Sequence, residues 1–268
     1  MRGSLSNCLA MSRKLIIGNW KMNGSLAANE ALARALTTAG LEEKPVDCAV
    51  CPPSVYLAQL AGLLQGSSLL LGAQTVHARE SGAFTGDVSA AMLAELGCKL
   101  VLVGHSERRA GHGESSEQVA AQALAAARAG LTPVVCVGES ADDHDAGLMQ
   151  DVVIAQLAPL AGLEVEAGVL LLEKLVLAYE PIWAIGSGEA ATPQYVSVVL
   201  ECIHEWLAEA APALAEEALP RVLYGGSVRP DNASEMLSLH ACGGLLVGGA
   251  SLVAEEFIAI CSAAAAQV

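Results

Sequence analysis

Eight short runs of aliphatic residues recur along the sequence, and they restrict the fold more than any other feature. Most of these runs are continuously apolar and do not alternate with polar residues. That pattern is typical of strands covered on both faces, as in a parallel sheet. The runs are residues 14–18, 46–50, 69–72, 100–103, 133–137, 175–179, 221–224 and 245–247.

Helix signals separate these runs. Residues 115–118 form a capping-box pattern that opens an alanine-rich helix ending at Gly130. Thr192, with proline at the next position, predicts another helix start, and Ser251 is expected to cap the last helix. Eight strands that alternate with helices within about 250 residues are typical of one architecture. The sequence therefore predicts an α/β fold, a single-domain (β/α)8 barrel with eight parallel strands inside eight helices.

Residues 1–12 look different from the rest of the chain. Their opening, residues 1–4, resembles a vector-derived leader, and Met11 is a candidate native start. We therefore expect residues 1–12 to be a leader or an expression-derived extension outside the fold. The barrel domain is expected to span residues 13–268, with no linker or low-complexity segment inside it.

The formal net charge of −15 argues against a nucleic-acid partner, because a phosphate backbone requires a basic protein surface. No stretch of about 18 residues is purely apolar, so we expect no membrane span. The same acidity means that any site for an anionic substrate has to be local. Backbone N–H groups and one or two well-placed cations are the groups that can build it.

Eight cysteines are scattered over the chain, and one pair, Cys48 and Cys51, has the spacing of a metal or redox motif. Both lie in or next to a predicted strand, where positions i and i+3 face opposite sides, so they are poor partners for one metal ion. No second pair completes a zinc site. We expect reduced thiols, a cytoplasmic location, and neither a metal nor a cofactor.

Polar residues directly after the strands are the candidates for chemistry, because barrel active sites lie at the C-terminal strand ends. Lys21 and Asn19 belong to the segment after the first run, where an ammonium and an amide can stabilise negative charge on a substrate oxygen. His105 follows the fourth run, at a position where a short helix can begin. A helix N-terminus disfavours the imidazolium, so we expect a neutral, hydrogen-bond-donating His105. Glu107 is expected to support this site within a charge network.

Glu180 ends the sixth run, and a carboxylate there is costly unless it is paired or used. The apolar segment that follows, as far as Ala191, suits a lid that closes over the site and excludes water. Glycine pairs follow the seventh and eighth runs, at 225–226 and 248–249, where backbone N–H groups can approach an anion closely. Each pair alone is a weak signal, because glycine also serves ordinary turns.

Together these segments resemble the triosephosphate isomerase family, from about Lys14 to the last helix, in order and with the family's spacing. The resemblance implies the TIM barrel fold. It also implies the reversible interconversion of dihydroxyacetone phosphate and D-glyceraldehyde 3-phosphate through an enediol or enediolate, in glycolysis and gluconeogenesis and without a cofactor. The matching motifs are residues 18–21, 82–86, 104–109, 178–186, 224–228 and 247–251.

The resemblance assigns roles to individual residues. The implied catalytic residues are Glu180 as the base that moves the proton, His105 as the neutral electrophile, Lys21 and Asn19 as stabilisers of the enediolate, and Glu107 in support. The residues implied in substrate and phosphate binding are Asn19, Lys21, Gly186, Ser227, Gly248 and Gly249, with no metal ligand.

The family resemblance further implies a homodimer. The loop at residues 74–86 matches the one that reaches into the neighbouring subunit, with Thr85 near its tip. The expected partners are therefore a small phosphorylated triose and a second copy of the chain. The chain departs from the common family pattern at the C-terminal hinge of the lid, where Ser187 stands for a frequent threonine and Glu189 for a frequent lysine. Because a change at a hinge can alter turnover, we expect these two positions to affect the kinetics of the lid.

Two other functions are compatible with such a barrel. A Schiff-base aldolase needs a lysine that faces the substrate carbonyl. Lys21 is the one candidate, since Lys174 precedes the sixth run and therefore lies at the wrong end. A barrel that only binds a sugar phosphate has the same fold, and fold alone does not separate the two. Such a binder has no need for Glu180 and His105 at separate strand ends, so the isomerase is the preferred hypothesis.

Overall fold

The computed structural model describes residues 13–185, 190–215 and 218–267 of the chain. The strands within these residues are β1 (Lys14–Asn19), β2 (Val46–Cys51), β3 (Leu70–Ala73), β4 (Leu100–Val103), β5 (Thr132–Val137), β6 (Glu164–Glu166), β7 (Val169–Leu170), β8 (Val176–Tyr179), β9 (Val222–Tyr224) and β10 (Gly244–Val247). Eight of them close into a barrel in the order β1-β10-β9-β8-β5-β4-β3-β2. All neighbours in the barrel are parallel, and β1 closes it by pairing with both β2 and β10. The predicted barrel is confirmed.

Helices surround this barrel, and at least one follows every barrel strand. They are α1 (Leu26–Thr37), α2 (Leu57–Leu63), α3 (Ala90–Glu95), α4 (Ser106–His112), α5 (Ser116–Arg128), α6 (Ala141–Asp145), α7 (Met149–Leu157), α8 (Pro193–Ala210), α9 (Ala233–Leu237) and α10 (Ala254–Ala265). None of the helices described is both long and apolar enough to cross a membrane.

The structure has more elements than the eight strands and eight helices of the prediction. The short helices α4 and α6 precede α5 and α7, so β4 and β5 are each followed by two helices. Strands β6 and β7 form a separate antiparallel ribbon, turned at Gly168 with its φ of 78°. The ribbon strands are too short, and β6 too polar, to stand out as apolar runs.

Two of the predicted helix caps are confirmed and one is wrong. Ser115 and Gln118 form a capping box at α5, and Thr192 caps α8 by accepting from the N–H of Tyr195. Ser251 does not cap α10, which begins at Ala254 after Val253 and has no side-chain cap. A 3₁₀ segment, Gly249–Leu252, intervenes, and Ser251 Oγ instead donates to the Gly248 carbonyl at 2.7 Å.

The core has two layers, which the barrel strands separate. Ile17 and Leu102 belong to a cluster inside the barrel, whereas Ile16 belongs to the cluster between the sheet and the helices. Consecutive strand residues therefore point to opposite buried faces, as the continuous apolar runs predict. Cys48 lies in the outer cluster and Cys51 in the inner one, which confirms that this pair faces opposite sides.

Gly244 allows β10 to close against β1. It is the register partner of Leu15, its φ is 154°, and a Cβ at this position would collide with the Leu15 backbone. Only glycine adopts this conformation without strain, so the close approach of the two strands depends on it.

Replacing Leu102 with alanine should lower the free energy of unfolding by about 2–5 kcal/mol, because the side chain is fully buried inside the barrel and a cavity would remain. Denaturant-induced unfolding measures the change. Val198→Ala on the exposed face of α8 is the control and should stay within about 0.5 kcal/mol. Equal losses in the two variants would contradict the two-layer core.

Candidate active site

The predicted site residues that the structure describes lie on the rim formed by the C-terminal ends of the barrel strands. Asn19 is the last residue of β1, and His105 is the N-cap of α4 just after β4. Glu180 follows β8 directly, Ser227 follows β9, and Gly248 follows β10. Because all eight strands are parallel, these ends lie at the same side of the barrel.

Glu180 is almost fully buried, at 2% exposure, and both of its carboxylate oxygens are engaged. Oε1 lies 3.0 Å from His105 Nε2, and Oε2 accepts from the Ser106 N–H at 3.0 Å. Ser106 is the first residue of α4, so the positive end of that helix faces the carboxylate. Burial raises the pKa of the neighbouring Cys136 thiol, and the charge of Glu180 raises it further, so the thiol stays protonated.

Two glycines on the adjacent strand ends make room for Glu180. A Cβ at Gly225, after β9, would lie 3.1 Å from Glu180 Cγ, and a Cβ at Gly138, after β5, would collide with the Glu180 carbonyl oxygen. The backbone of Glu180 is hydrogen-bonded on the same side, since its N–H donates to the Val137 carbonyl at 2.8 Å. The position of the carboxylate is therefore set by close backbone packing on both flanks.

His105 presents its two ring nitrogens to different partners. Nδ1 accepts from the Glu107 N–H at 3.2 Å, which assigns the proton of the neutral ring to Nε2, facing Glu180. Burial lowers the pKa of His105, but the charges of Glu180 and Glu107 outweigh it and raise the pKa above the ordinary value. The bond at Nδ1 favours the neutral imidazole and the carboxylates favour the imidazolium. A neutral His105 therefore stays a prediction.

Lys21 is held in an unusual backbone conformation. It is the only non-glycine among the described residues with a positive φ, at 51°, a region that costs free energy for most side chains. The Lys21 N–H donates to Asn19 Oδ1 at 3.0 Å, and Gln74 Nε2 donates to the Lys21 carbonyl at 2.9 Å. Gln74 also donates to the Cys51 carbonyl at 2.8 Å, so it ties the Lys21 turn to the end of β2.

Glu107 connects Lys21 to His105. Its Oε1 lies 2.6 Å from Lys21 Nζ and its Oε2 lies 3.8 Å from His105 Nδ1. The Glu107 side chain is 56% exposed, so solvent screens both contacts. They orient the Lys21 and His105 side chains more than they stabilise the fold. The supporting role expected for Glu107 stays a prediction.

The glycine-rich segment after β10 lies next to Lys21. A Cβ at Gly248 would be 3.5 Å from Lys21 Cε, while a Cβ at Gly249 would meet no atom within 4 Å. Gly248 is the N-cap of the 3₁₀ segment that starts at Gly249, so N–H groups are concentrated at this point. Ser227 lies in the loop after β9, whose shape is fixed by a 2.8 Å bond from Asn232 Nδ2 to the Ser227 carbonyl.

Three residues named from the sequence, Gly186, Ser187 and Glu189, lie outside the described residues. The segment expected from the sequence to form a lid is described as far as Ile185 and contains a 3₁₀ turn, Ile182–Ala184. Within it, Trp183 Nε1 donates to Glu139 Oε1 at 2.7 Å. Glu139 is fully buried, and the same oxygen accepts from the hydroxyls of Tyr179 and Tyr195, each at 2.9 Å. A single buried carboxylate thus anchors the Ile182–Ala184 turn to the barrel.

A family model described as triosephosphate isomerase matches residues 14–264. The chain belongs to the triosephosphate isomerase family. A triosephosphate isomerase from Dechloromonas aromatica is 48% identical over 95% of this chain and 100% of its own length. One from Cupriavidus taiwanensis is 50% identical over 93% of this chain and 99% of its own. A crystal structure of triosephosphate isomerase from Bartonella henselae superposes with a TM-score of 0.83 at 38% identity, covering 94% of this chain and 98% of that one.

Three residues that contact the candidate site or the segment after Glu180 were not predicted as site residues. The Ser106 backbone N–H donates to Glu180, and the Gln74 side-chain amide donates to the Lys21 carbonyl. The sequence does not reveal either contact. Glu139 was detectable from the sequence, because it is a carboxylate that follows a buried strand, as Glu180 does. The rule that selected Glu180 would have selected Glu139 as well.

Replacing Glu180 with glutamine should lower the pKa of His105, because the charge that raises it is removed while the burial that lowers it remains. A ring-nitrogen NMR titration of His105 measures the change. Glu166→Gln on the exposed β6 strand is the control and should leave the titration unchanged. An unchanged or higher midpoint in Glu180→Gln would contradict the pairing described here.

Proposed function

We propose that this chain is a triosephosphate isomerase that interconverts dihydroxyacetone phosphate and D-glyceraldehyde 3-phosphate. The observation that carries the proposal is the contact between Glu180 and His105 on the rim of the barrel, where a base and a proton donor meet at 3.0 Å. Its direct test is a coupled isomerase assay on the purified protein. Absence of turnover at high enzyme concentration would favour a barrel that only binds a sugar phosphate.

The proposed reaction moves one proton between two carbons. Glu180 removes a proton from the carbon beside the carbonyl, and His105 donates from Nε2 to the carbonyl oxygen as the enediolate forms. Glu180 then returns the proton to the neighbouring carbon, while His105 Nε2 takes back a proton from the hydroxyl that becomes the new carbonyl. Both residues return to their starting protonation states, so no atom or electron is lost. Because Glu180 is bound to Ser106 and His105 in this structure, it has to leave these partners to reach the substrate. A closed lid would keep water from the reacting carboxylate.

Lys21 and Asn19 are proposed to stabilise the negative charge that develops on the substrate oxygens. Lys21 Nζ is on the rim beside Gly248, and its only described carboxylate partner within 4 Å is Glu107. Glu107 is proposed to orient Lys21 and His105 without exchanging a proton itself.

The phosphate is proposed to bind between the segments after β9 and β10. Gly248 and Gly249 would contribute N–H groups at the start of a 3₁₀ segment, Ser227 would contribute from the neighbouring loop, and Gly186 would contribute from the lid. Backbone donors suit this chain, whose net charge of −15 leaves no general attraction for an anion.

The positions of the lysines argue against a Schiff-base aldolase. Lys21 is the only one on the rim where the strands end. The other four stand at or before the start of a strand, at the opposite end of the barrel: Lys14, Lys44, Lys99 and Lys174.

Glu180→Gln should lower kcat by about two to four orders of magnitude, because the amide cannot accept the proton. The affinity for glycerol 3-phosphate should stay within about twofold, since the phosphate contacts are not altered. Calorimetry and the coupled assay measure the two quantities. Glu166→Gln should retain full turnover, and near-normal turnover in Glu180→Gln would exclude it as the base.

We also propose a homodimer in the cytoplasm. Large apolar side chains are exposed on the loop after β1, the 74–86 loop and α3, namely Met22, Phe84 and Met92, at 95%, 42% and 51% exposure. Phe84 and Met92 line the same small surface cavity, and Thr85 is exposed beside them. Exposed apolar groups that share a surface are typical of an interface. The seven described cysteines are free and buried, in keeping with a reducing compartment.

Phe84→Glu should shift the protein toward monomer in sedimentation, because a carboxylate would be buried without a partner at the interface. Val198→Glu, on the exposed face of α8, is the matched control and should leave the sedimentation unchanged. A wild-type monomer, or an equal effect of both variants, would contradict the assigned interface.

A further inference from the structure

Arg109, on α4, donates hydrogen bonds to three different elements. Its Nε donates to the Gly104 carbonyl at 2.9 Å, its Nη1 to the Ser116 hydroxyl at 3.1 Å and its Nη2 to the Cys136 carbonyl at 3.3 Å. These acceptors lie just after β4, at the start of α5 and in β5. All three are neutral oxygens, and no carboxylate of the described residues lies within 4 Å of the Arg109 nitrogens. A half-buried cation is therefore held here without an ion pair.

The contact with Gly104 acts on the backbone of His105. The Gly104 carbonyl belongs to the peptide bond that leads into His105, and the backbone N–H of Arg109 donates to the His105 carbonyl at 3.1 Å. Arg109 thus binds the peptide groups on both sides of the His105 Cα. Gly104 has a φ of 68°, and a Cβ there would lie 3.1 Å from Arg109 Nη2. The guanidinium therefore packs directly against the turn that presents His105.

The contact with Cys136 connects the same guanidinium to the strand beside Glu180. Val137, the next residue of β5, accepts from the Glu180 N–H at 2.8 Å. Arg109 thus joins the turn that carries His105 to the strand on which the Glu180 backbone is held. The 3.0 Å contact between His105 Nε2 and Glu180 Oε1 spans these two supports.

The pairing of β4 with β5 ends just before both carbonyls. The last register pair is Val103 with Val135, and Gly104 and Cys136 are the residues that follow. Arg109 binds the carbonyls of these two residues. Its guanidinium therefore bridges the two strand ends at the point where their own hydrogen bonding stops.

Arginine suits this bridge better than any other side chain. Its guanidinium is planar and presents its donors in fixed directions, whereas the lysine ammonium is a point charge on a flexible stem. Burial lowers the pKa of Arg109, which means that the surroundings disfavour the charged form. A half-buried cation without an ion pair contributes little to stability. Its effect on the neighbouring strand ends explains its presence better.

We propose that Arg109 is a positioning residue for the isomerisation, which sets the spacing between His105 and Glu180 by bridging the ends of β4 and β5. Arg109 acts through His105 and does not touch the substrate. A displacement of about 1 Å between reacting groups can lower a rate about a hundredfold, so a small shift of the His105 turn is enough to matter. This inference rests on the proposed isomerase function.

Arg109→Lys and Arg109→Met test the inference. Arg109→Lys keeps the charge without the planar fork and should lower kcat about tenfold, and Arg109→Met removes every donor and should lower kcat about a hundredfold. KM and the affinity for glycerol 3-phosphate should stay within about twofold, because the proposed phosphate contacts come from other segments. Circular dichroism of the same samples gives kcat per folded molecule. Arg109→Lys, the milder change, carries the test if Arg109→Met does not fold.

Two control variants on α1 separate positioning from stability. Arg34→Met removes an exposed arginine that pairs with Glu30 and should leave kcat unchanged. Leu36→Ala removes a buried side chain, so it should lower the stability and leave kcat per folded molecule unchanged. If the Arg109 variants lose no more kcat per folded molecule than Leu36→Ala does, the inference is wrong.

The second readout is the proton NMR signal of the His105 Nε2–H group. In Arg109→Lys this signal should move upfield, because the hydrogen bond to Glu180 lengthens, and in Arg34→Met it should not move. A signal that stays in place or moves downfield in Arg109→Lys would overturn the inference. A wild type without turnover, combined with the upfield shift in Arg109→Lys, would contradict the proposed function alone.

Discussion

The hydrogen bond from the Ser106 N–H to Glu180 Oε2 is the contact on which the site depends. Three consecutive residues at the start of α4 each hold a different part of the site. His105 meets the other oxygen of Glu180, Ser106 holds the first, and Glu107 binds Lys21. The first turn of one short helix therefore sets the spacing of Glu180, His105 and Lys21. Its N–H groups also supply the local positive potential that an acidic chain otherwise lacks.

Much of the barrel was predictable because a strand that is buried on both faces has a continuous apolar sequence. The predicted runs begin and end within one residue of the barrel strands. The candidates Asn19, His105 and Glu180 were found for the same reason, since a polar residue stands out where a buried strand ends. Prediction failed for features that depend on tertiary contacts between distant parts of the chain. Nothing in the sequence shows that Gln74 reaches the Lys21 carbonyl. Ser251 resembles a cap in the sequence, although it lies within a 3₁₀ turn that precedes α10.

A net charge of −15 and an anionic substrate are compatible because the cationic groups of the site are few and fixed. Lys21 is held at a φ of 51° by Asn19 and Gln74, and its ammonium is directed by Glu107. Long-range attraction of the substrate is weak in such a protein. Recognition then depends on short-range contacts that form after encounter.

The glycines on the rim differ in how much space surrounds them, and this difference limits how the site can be redesigned. A Cβ at Gly138 would collide with the Glu180 carbonyl oxygen, and a Cβ at Gly225 would lie 3.1 Å from Glu180 Cγ, so a side chain at either position would press on Glu180. The φ of Gly249 is not positive, and a Cβ added to it would meet no atom within 4 Å. Libraries aimed at larger or differently charged substrates should vary Gly249 and leave Gly138 and Gly225 unchanged. The same contrast predicts which of these positions can drift during evolution and which stay glycine.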